Sequence, residues 1–141
     1  MKLSEIVDIG VSGILAQRAR MAATASNLAN AQTTRTAEGG PYRRRDPVFK
    51  TSGVGGPFAD RLSRAVRKVD VSRISVDQRP AITRFDPGHP DANAEGFVSL
   101  PRVNVVEELA NMMSASRSYQ ANLLILRKAR EMARAAMQLG G

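Results

Sequence analysis

Residues 105–137 read VVEELANMMSASRSYQANLLILRKAREMARAAM. Within them Val105, Leu109, Met112, Ser116, Tyr119, Leu123, Leu126, Arg130, Ala133 and Met137 step alternately by four and three, with polar interruptions at Ser116 and Arg130. A mean step of 3.5 keeps one stripe of a helix turned toward a partner helix along its whole length. Neither Pro nor Gly occurs between residues 102 and 139, so the helix should run for about 50 Å at 1.5 Å per residue. Asn104, with Glu107 three positions later, is a capping-box-like start, and Pro101 stops whatever precedes it.

The other end of the chain carries a matching stripe: Val7, Val11, Ile14, Arg18, Met21, Ala25 and Leu28. Ser4 is the expected N-cap, and Glu5 and Asp8 fall where the helix dipole favours anions. Gly10 and Gly13 each lower helix propensity by about 1 kcal/mol relative to Ala, so this helix should not stand alone. Good helix formers continue from Ala16 until Asn27, Asn30 and the polar run Gln32–Thr36, and Glu38-Gly39-Gly40-Pro41 makes a firm break. The two stripes are each other's expected partners, as a coiled coil. Both contain Ala, and the C-terminal one Ser as well, which bury less than the ~1.5–3 kcal/mol of a Leu or Ile. A lone pair should therefore be marginal and need neighbours. The plainer alternative is a helical hairpin core closed within one monomer.

The middle has no helical period. Tyr42–Lys50 is a candidate strand interrupted at Pro47, and residues 51–65 form a flexible loop around Gly53, Gly55 and Gly56. Val69, Val71, Ile74 and Val76 change side-chain parity between 71 and 74, which predicts a bulge or a twisted edge strand. Ala81–Phe85 and Phe97–Leu100 are further short strands around the turn-rich Asp86-Pro87-Gly88-His89-Pro90-Asp91. The fold class is mainly α with a small β segment. The expected domains are residues 1–36 as the N-terminal helix, 37–101 as a β-rich outer domain, and 102–141 as the C-terminal helix.

The 141 residues contain no Cys and no Trp, which removes disulfides and thiolate metal sites. No apolar run reaches the length of a membrane span, about 18 residues. Glu5 and Asp8 interrupt what would be the apolar stretch of a cleavable signal. Of the net charge of +8, +7 belongs to residues 42–84, where eleven basic residues meet four acidic ones. Arg43, Arg44, Arg45, Arg61, Arg64, Arg67 and Lys68 could track phosphates, which makes a basic nucleic-acid-binding protein with a coiled-coil dimerisation helix the competing function. Few aromatic residues accompany them, and no nucleic-acid motif is present. His89 beside Asp86 and Asp91 could serve as a base or metal ligand, but a catalytic site needs further converging groups that the sequence does not offer, so a rigid turn with Asp side chains on backbone amides is the expected reading. Gly53-Val54-Gly55-Gly56 lacks the Lys and Ser or Thr of a P-loop.

Three segments resemble the bacterial flagellar rod and hook axial proteins, and among these the proximal rod type. They are Ala25–Thr33 with Asn27 and Asn30; Asp86–Ala92 with Pro87, Gly88, His89, Pro90 and Asp91, followed by Gly96-Phe97-Val98 and Pro101–Glu108 with Asn104; and Ser114–Asn122 with Ser116, Arg117, Tyr119 and Asn122. Arg102 departs from the Asn expected before Val103-Asn104-Val105. The resemblance implies a non-enzymatic, cofactor-free structural subunit that assembles with copies of itself, with other proximal and distal rod proteins and with the basal-body/hook junction protein at the membrane ring. It implies export through the flagellar type III apparatus without signal cleavage, a place in the periplasmic part of the basal body, and neither nucleic acid nor a membrane span. It also implies that the terminal helices pair and line a tube while the middle forms an outer domain.

Overall fold

A computed structural model describes residues 3–53 and 67–139. Helix α1, Leu3–Ala29, and helix α2, Val105–Leu139, bracket four strands: β1 Arg45–Gly53, β2 Arg67–Val76, β3 Ile82–Phe85 and β4 Phe97–Leu100. The mainly α class with a small β component is therefore what the chain adopts.

α1 is already helical at Leu3, so Ser4 lies inside it rather than capping it. Its other end closes where the Asn residues begin. Asn30 N–H and its side-chain amide both donate to the Ser26 carbonyl, at 3.1 and 2.9 Å, and Ala31 N–H reaches the Leu28 carbonyl. An Asn here supplies a second donor for a carbonyl in the last turn, where the final four carbonyls of a helix have no amide within it to accept from. At the start of α2, Asn104 Oδ1 accepts from the amides of Val106 and Glu107, as the sequence predicts.

β1 and β2 form one antiparallel ladder, β3 and β4 another. The candidate strand interrupted at Pro47 proves continuous, with Pro47 opposite Ile74, and it extends through Thr51–Gly53. Every strand of a two-stranded ladder is an edge, so the missing Pro N–H can face outward at no cost to pairing. The remainder of the expected 51–65 loop, with Arg61 and Arg64, lies outside the described residues. The parity change in β2 is a bulge: Val48 pairs with Arg73 and Phe49 with Val71, leaving Ser72 as the extra residue. It keeps Val69, Val71, Ile74 and Val76 on one side of the ladder.

The two helices run antiparallel, side by side, and the β1–β2 ladder rests on α1. Val69 N–H donates to Ser12 Oγ at 3.2 Å, and Lys68 pairs with Asp8 at 2.8 Å. The buried apolar side chains of the described residues are mostly small: Ala16, Ala115 and Ala129, with Tyr42, Val98 and Leu126. Beyond the ladder, Asp77 is held by Arg79 through paired bonds of 2.6–3.0 Å. Those bonds, then the Arg79 backbone amide, lower its carboxyl to about 2 from 3.8. A depressed carboxylate contributes stability above its unfolded value that is lost as pH falls through the folded value. A small loss of stability is therefore expected between pH 3.8 and about 2, and Asp77→Asn should remove it from a denaturation series taken across that window.

Candidate functional site: the helix pair and its buried junction

The packing of α1 on α2 can be read from four levels. A Cβ on Gly10 would lie 2.6 Å from Leu126 Cδ2, and one on Gly13 would lie 2.8 Å from Asn122 Nδ2. Arg20 donates to Asn111 Oδ1 at 3.0 Å, and Asn27 donates to Glu108 Oε2 at 3.1 Å. Gly13, Arg20 and Asn27 recur every seven residues, as do Glu108, Ala115, Asn122 and Ala129 on the facing helix. The heptad is thus real, but its phase is not the one the apolar residues suggest. Ile14, Met21 and Leu28 each sit one residue past the α1 positions that meet α2, a rotation of about 100°.

The placement of the expected stripe follows from that rotation. Leu126 is buried as expected, and Val7, Ile14, Met21, Leu28, Met112, Ser116, Tyr119 and Leu123 are half-buried. Val11, Ala25, Val105, Leu109 and Met137 are exposed, Met137 to 71%. The described contacts between the two helices run through Gly10, Gly13, Arg20 and Asn27 rather than through Val11 and Ala25: the Leu126 and Asn122 side chains close on the α1 backbone at Gly10 and Gly13, where any Cβ would have to displace them. Leu15, Val106, Met113, Leu124, Ile125 and Met132 add to the uncovered apolar surface. Toward one end of the pair, Ile6 with Leu124, Ile125, Met132 and Met137 lines an open apolar groove of about 810 Å³.

At the other end the helices are tied by polar groups. Asn27 is fully buried; its Oδ1 accepts from Tyr42 Oη at 3.0 Å and from Arg45 N–H at 2.8 Å, while its Nδ2 donates to the Arg45 carbonyl and to Glu108. Glu108, 1% exposed, also accepts from Arg44 Nε at 2.7 Å, and Arg44 reaches Asp46 as well. Burial by itself would lower the Arg44 guanidinium, but the bonds to Glu108 and the charge of Asp46 outweigh it and hold it above its ordinary value. Tyr42 shares a bond with Ser26 at 3.1 Å, and the Arg45 guanidinium lies 5.7 Å from its ring centre. A buried amide and a buried carboxylate are stable only when paired throughout, and here every polar atom of Asn27 and both oxygens of Glu108 have partners. This junction joins α1, β1 and α2. The Asn27 motif pointed to part of it; Tyr42, Arg44 and Glu108 were missed, since nothing local marks an Arg or a Glu as buried.

Of the remaining motif residues, Pro87 to Asp91 form a turn, and Ser116, Arg117, Tyr119 and Asn122 lie on α2. His89 Nδ1 accepts from the Asp91 amide at 3.0 Å, so the imidazole rather than an Asp takes the backbone bond. Asp91 instead accepts from Thr34 Oγ1 at 2.7 Å and faces Arg35 at 3.6 Å, tying the turn that follows Pro87, Gly88 and Pro90 to the exit of α1. Arg102 donates to the Pro80 carbonyl at 3.4 Å. Arg117 is exposed, and Asn122 lies against Gly13. Among the described residues no His, Asp and Glu cluster could hold a metal, and no helix is long and apolar enough to cross a membrane. In the basic middle, Arg44, Lys68, Arg79 and Arg84 each face a carboxylate of this same chain.

A glycine-spaced antiparallel helix pair, pinned at one end by buried polar groups and clothed in uncovered apolar side chains, defines a structural subunit made for assembly. Residues 8–35 match the family described as flagella basal body rod protein, and residues 94–139 match the flagellar basal body rod FlgEFG protein C-terminal family. The chain is 39% identical to the flagellar basal-body rod protein FlgC of Salmonella typhimurium over 99% of both chains. It is 37% identical to that of Borreliella burgdorferi over 99% of this chain and 98% of the relative, and 34% identical to that of Bacillus subtilis over 95% of each. It belongs to the FlgC family of flagellar basal-body rod proteins. Its function is that of a structural rod subunit, and the relatives lend nothing to the nucleic-acid-binding alternative.

Proposed function

We propose that this chain self-assembles, with proximal and distal rod proteins, into the tubular driveshaft between the inner-membrane ring with its export gate and the distal rod and hook. The reading includes contact with the basal-body/hook junction protein at the membrane ring. It includes export through the flagellar type III apparatus without signal cleavage, residence in the periplasmic space, and no catalytic role. The middle segment, residues 37–101, forms the outer domain, and the stripe from Val7 to Leu28 and from Val105 to Met137 forms the contacts between subunits.

The observation that supports this most directly is the apolar surface left over once the two helices have paired. Side chains such as Leu124 and Met132 remain 56% and 73% exposed. Covering them against adjacent subunits supplies the free energy of association, and a contact between unlike surfaces that does not close on itself yields a helical array. Growth then ends where a different protein presents the next surface.

Leu124→Asp tests the reading. The position is exposed in the single chain, so stability should change by no more than about 0.5 kcal/mol, while incorporation into basal bodies is lost. Rods of normal composition and motility in that variant would sink the assignment of this face to assembly.

A further inference from the structure

We propose that the buried cluster of Asn27, Tyr42, Arg44 and Glu108 sets the register of the helix pair, against an alternative one heptad away. Gly13 faces Asn122 and Asn27 is bonded to Glu108, so the level midway places Arg20 across from Ala115, with its guanidinium on Asn111 one turn along. Sliding α2 by seven residues would set Ala115 against Gly13 and Glu108 against Arg20. The first pairing is small on small, and the second is an ion pair. Shape and charge along the seam therefore permit the shifted arrangement. Connectivity does not forbid it through a tight turn either, because α1 ends at Ala29 and α2 begins only at Val105.

What separates the two arrangements lies off the seam. In the observed register Glu108 accepts from both Asn27 and Arg44, and Asn27 is held from the other side by Tyr42 and the Arg45 backbone. The shift withdraws Glu108 from a buried amide and a half-buried guanidinium that stay where β1 holds them. Unpaired buried polar groups of this kind are disfavoured strongly, and a buried polar residue in an otherwise permissive seam is the best-attested device for fixing register.

The chain has no Cys, so engineered pairs report register directly. Gly13→Cys with Asn122→Cys reads the observed level; Gly13→Cys with Ala115→Cys reads the shifted one, since Ala115 and Asn122 are about 10 Å apart along the helix and one disulfide cannot span both. On oxidation of the purified full chain, the 13–122 link should form in preference to the 13–115 link by about tenfold or more, the ratio set by roughly one buried hydrogen bond. In Asn27→Leu/Arg44→Leu the preference should vanish or invert, as Glu108 is released to Arg20. Glu108→Gln, whose single carbonyl oxygen can accept from only one of Asn27 and Arg44 while its NH2 faces the other donor, should lower the ratio partway toward that of the double variant. The proposal is overturned by an unchanged ratio in the double variant, by no preference in the parent, or by an unchanged ratio in Glu108→Gln. Loss of both links together with the helical circular dichroism of the double variant also overturns it, because the cluster would then carry stability rather than register. The readout is intramolecular, so its failure is distinguishable from a failure to build rods.

Discussion

Glu108→Ala is expected to destabilise the chain by about 3–5 kcal/mol, the usual range for removing one member of a buried ion pair. The side chain is 1% exposed, and its two oxygens satisfy Asn27 and Arg44. Removing it strands an amide N–H inside the protein and leaves a guanidinium with Asp46 alone. A loss of that size is comparable to the whole stability of a small domain, so thermal melting should shift far or lose cooperativity. Glu108→Gln preserves the shape and one of the two acceptor contacts, turning an NH2 toward the other donor, and should cost about 1–3 kcal/mol. If Ala and Gln behave alike, the bonds drawn here contribute little and the junction is merely a filled space. Because the Arg44 guanidinium is raised, its part of the pair is present below the ordinary guanidinium range and lost only as pH climbs above it. Stability owed to Arg44 should therefore not change across neutral pH.

Gly10→Val poses two physical effects against each other. Helix propensity alone favours Val over Gly by a few tenths of a kcal/mol. Packing opposes it: the new Cβ would sit 2.6 Å from Leu126 Cδ2 and 2.9 Å from Cγ, and Leu126 is buried, with little room to retreat. Overpacking of this kind costs about 1–3 kcal/mol, so the variant should melt lower than the parent. Adding Leu126→Ala should recover part of the loss by opening the space that Val needs. A Gly10→Val chain more stable than its parent would show that the helices do not approach as closely as the seam requires. Incorporation into basal bodies should suffer as well, because separating the helices displaces every uncovered side chain on α2 relative to α1.

Much of this architecture is written in local sequence. The Pro- and Gly-free run from 102 to 139, the Asn104 cap, the β2 parity change and the strand Phe97–Leu100 all depend on residues within a turn or two of each other. Pro47 misled because strand propensity assumes an inner strand, whereas β1 has a free edge. The stripe of Val7, Val11, Ile14, Met21 and Leu28 misled for a different reason. A hydrophobic pattern reports which side chains seek cover but is silent on what covers them.

By itself the amino-acid order determined that two long helices flank short strands, that no Cys chemistry is available, and that apolar residues recur every seven positions at both ends. Only the tertiary structure decided which side of that repeat meets the other helix, and it chose Gly10, Gly13 and Asn27 over the neighbouring Val, Ile and Leu. Seating a Leu126 or Asn122 side chain directly on the α1 backbone demands a residue without a side chain there, and a buried Asn or Glu is tolerable only where other groups complete its hydrogen bonds. Both conditions depend on contacts between the helices that join residues 81 or more positions apart, which no local periodicity encodes.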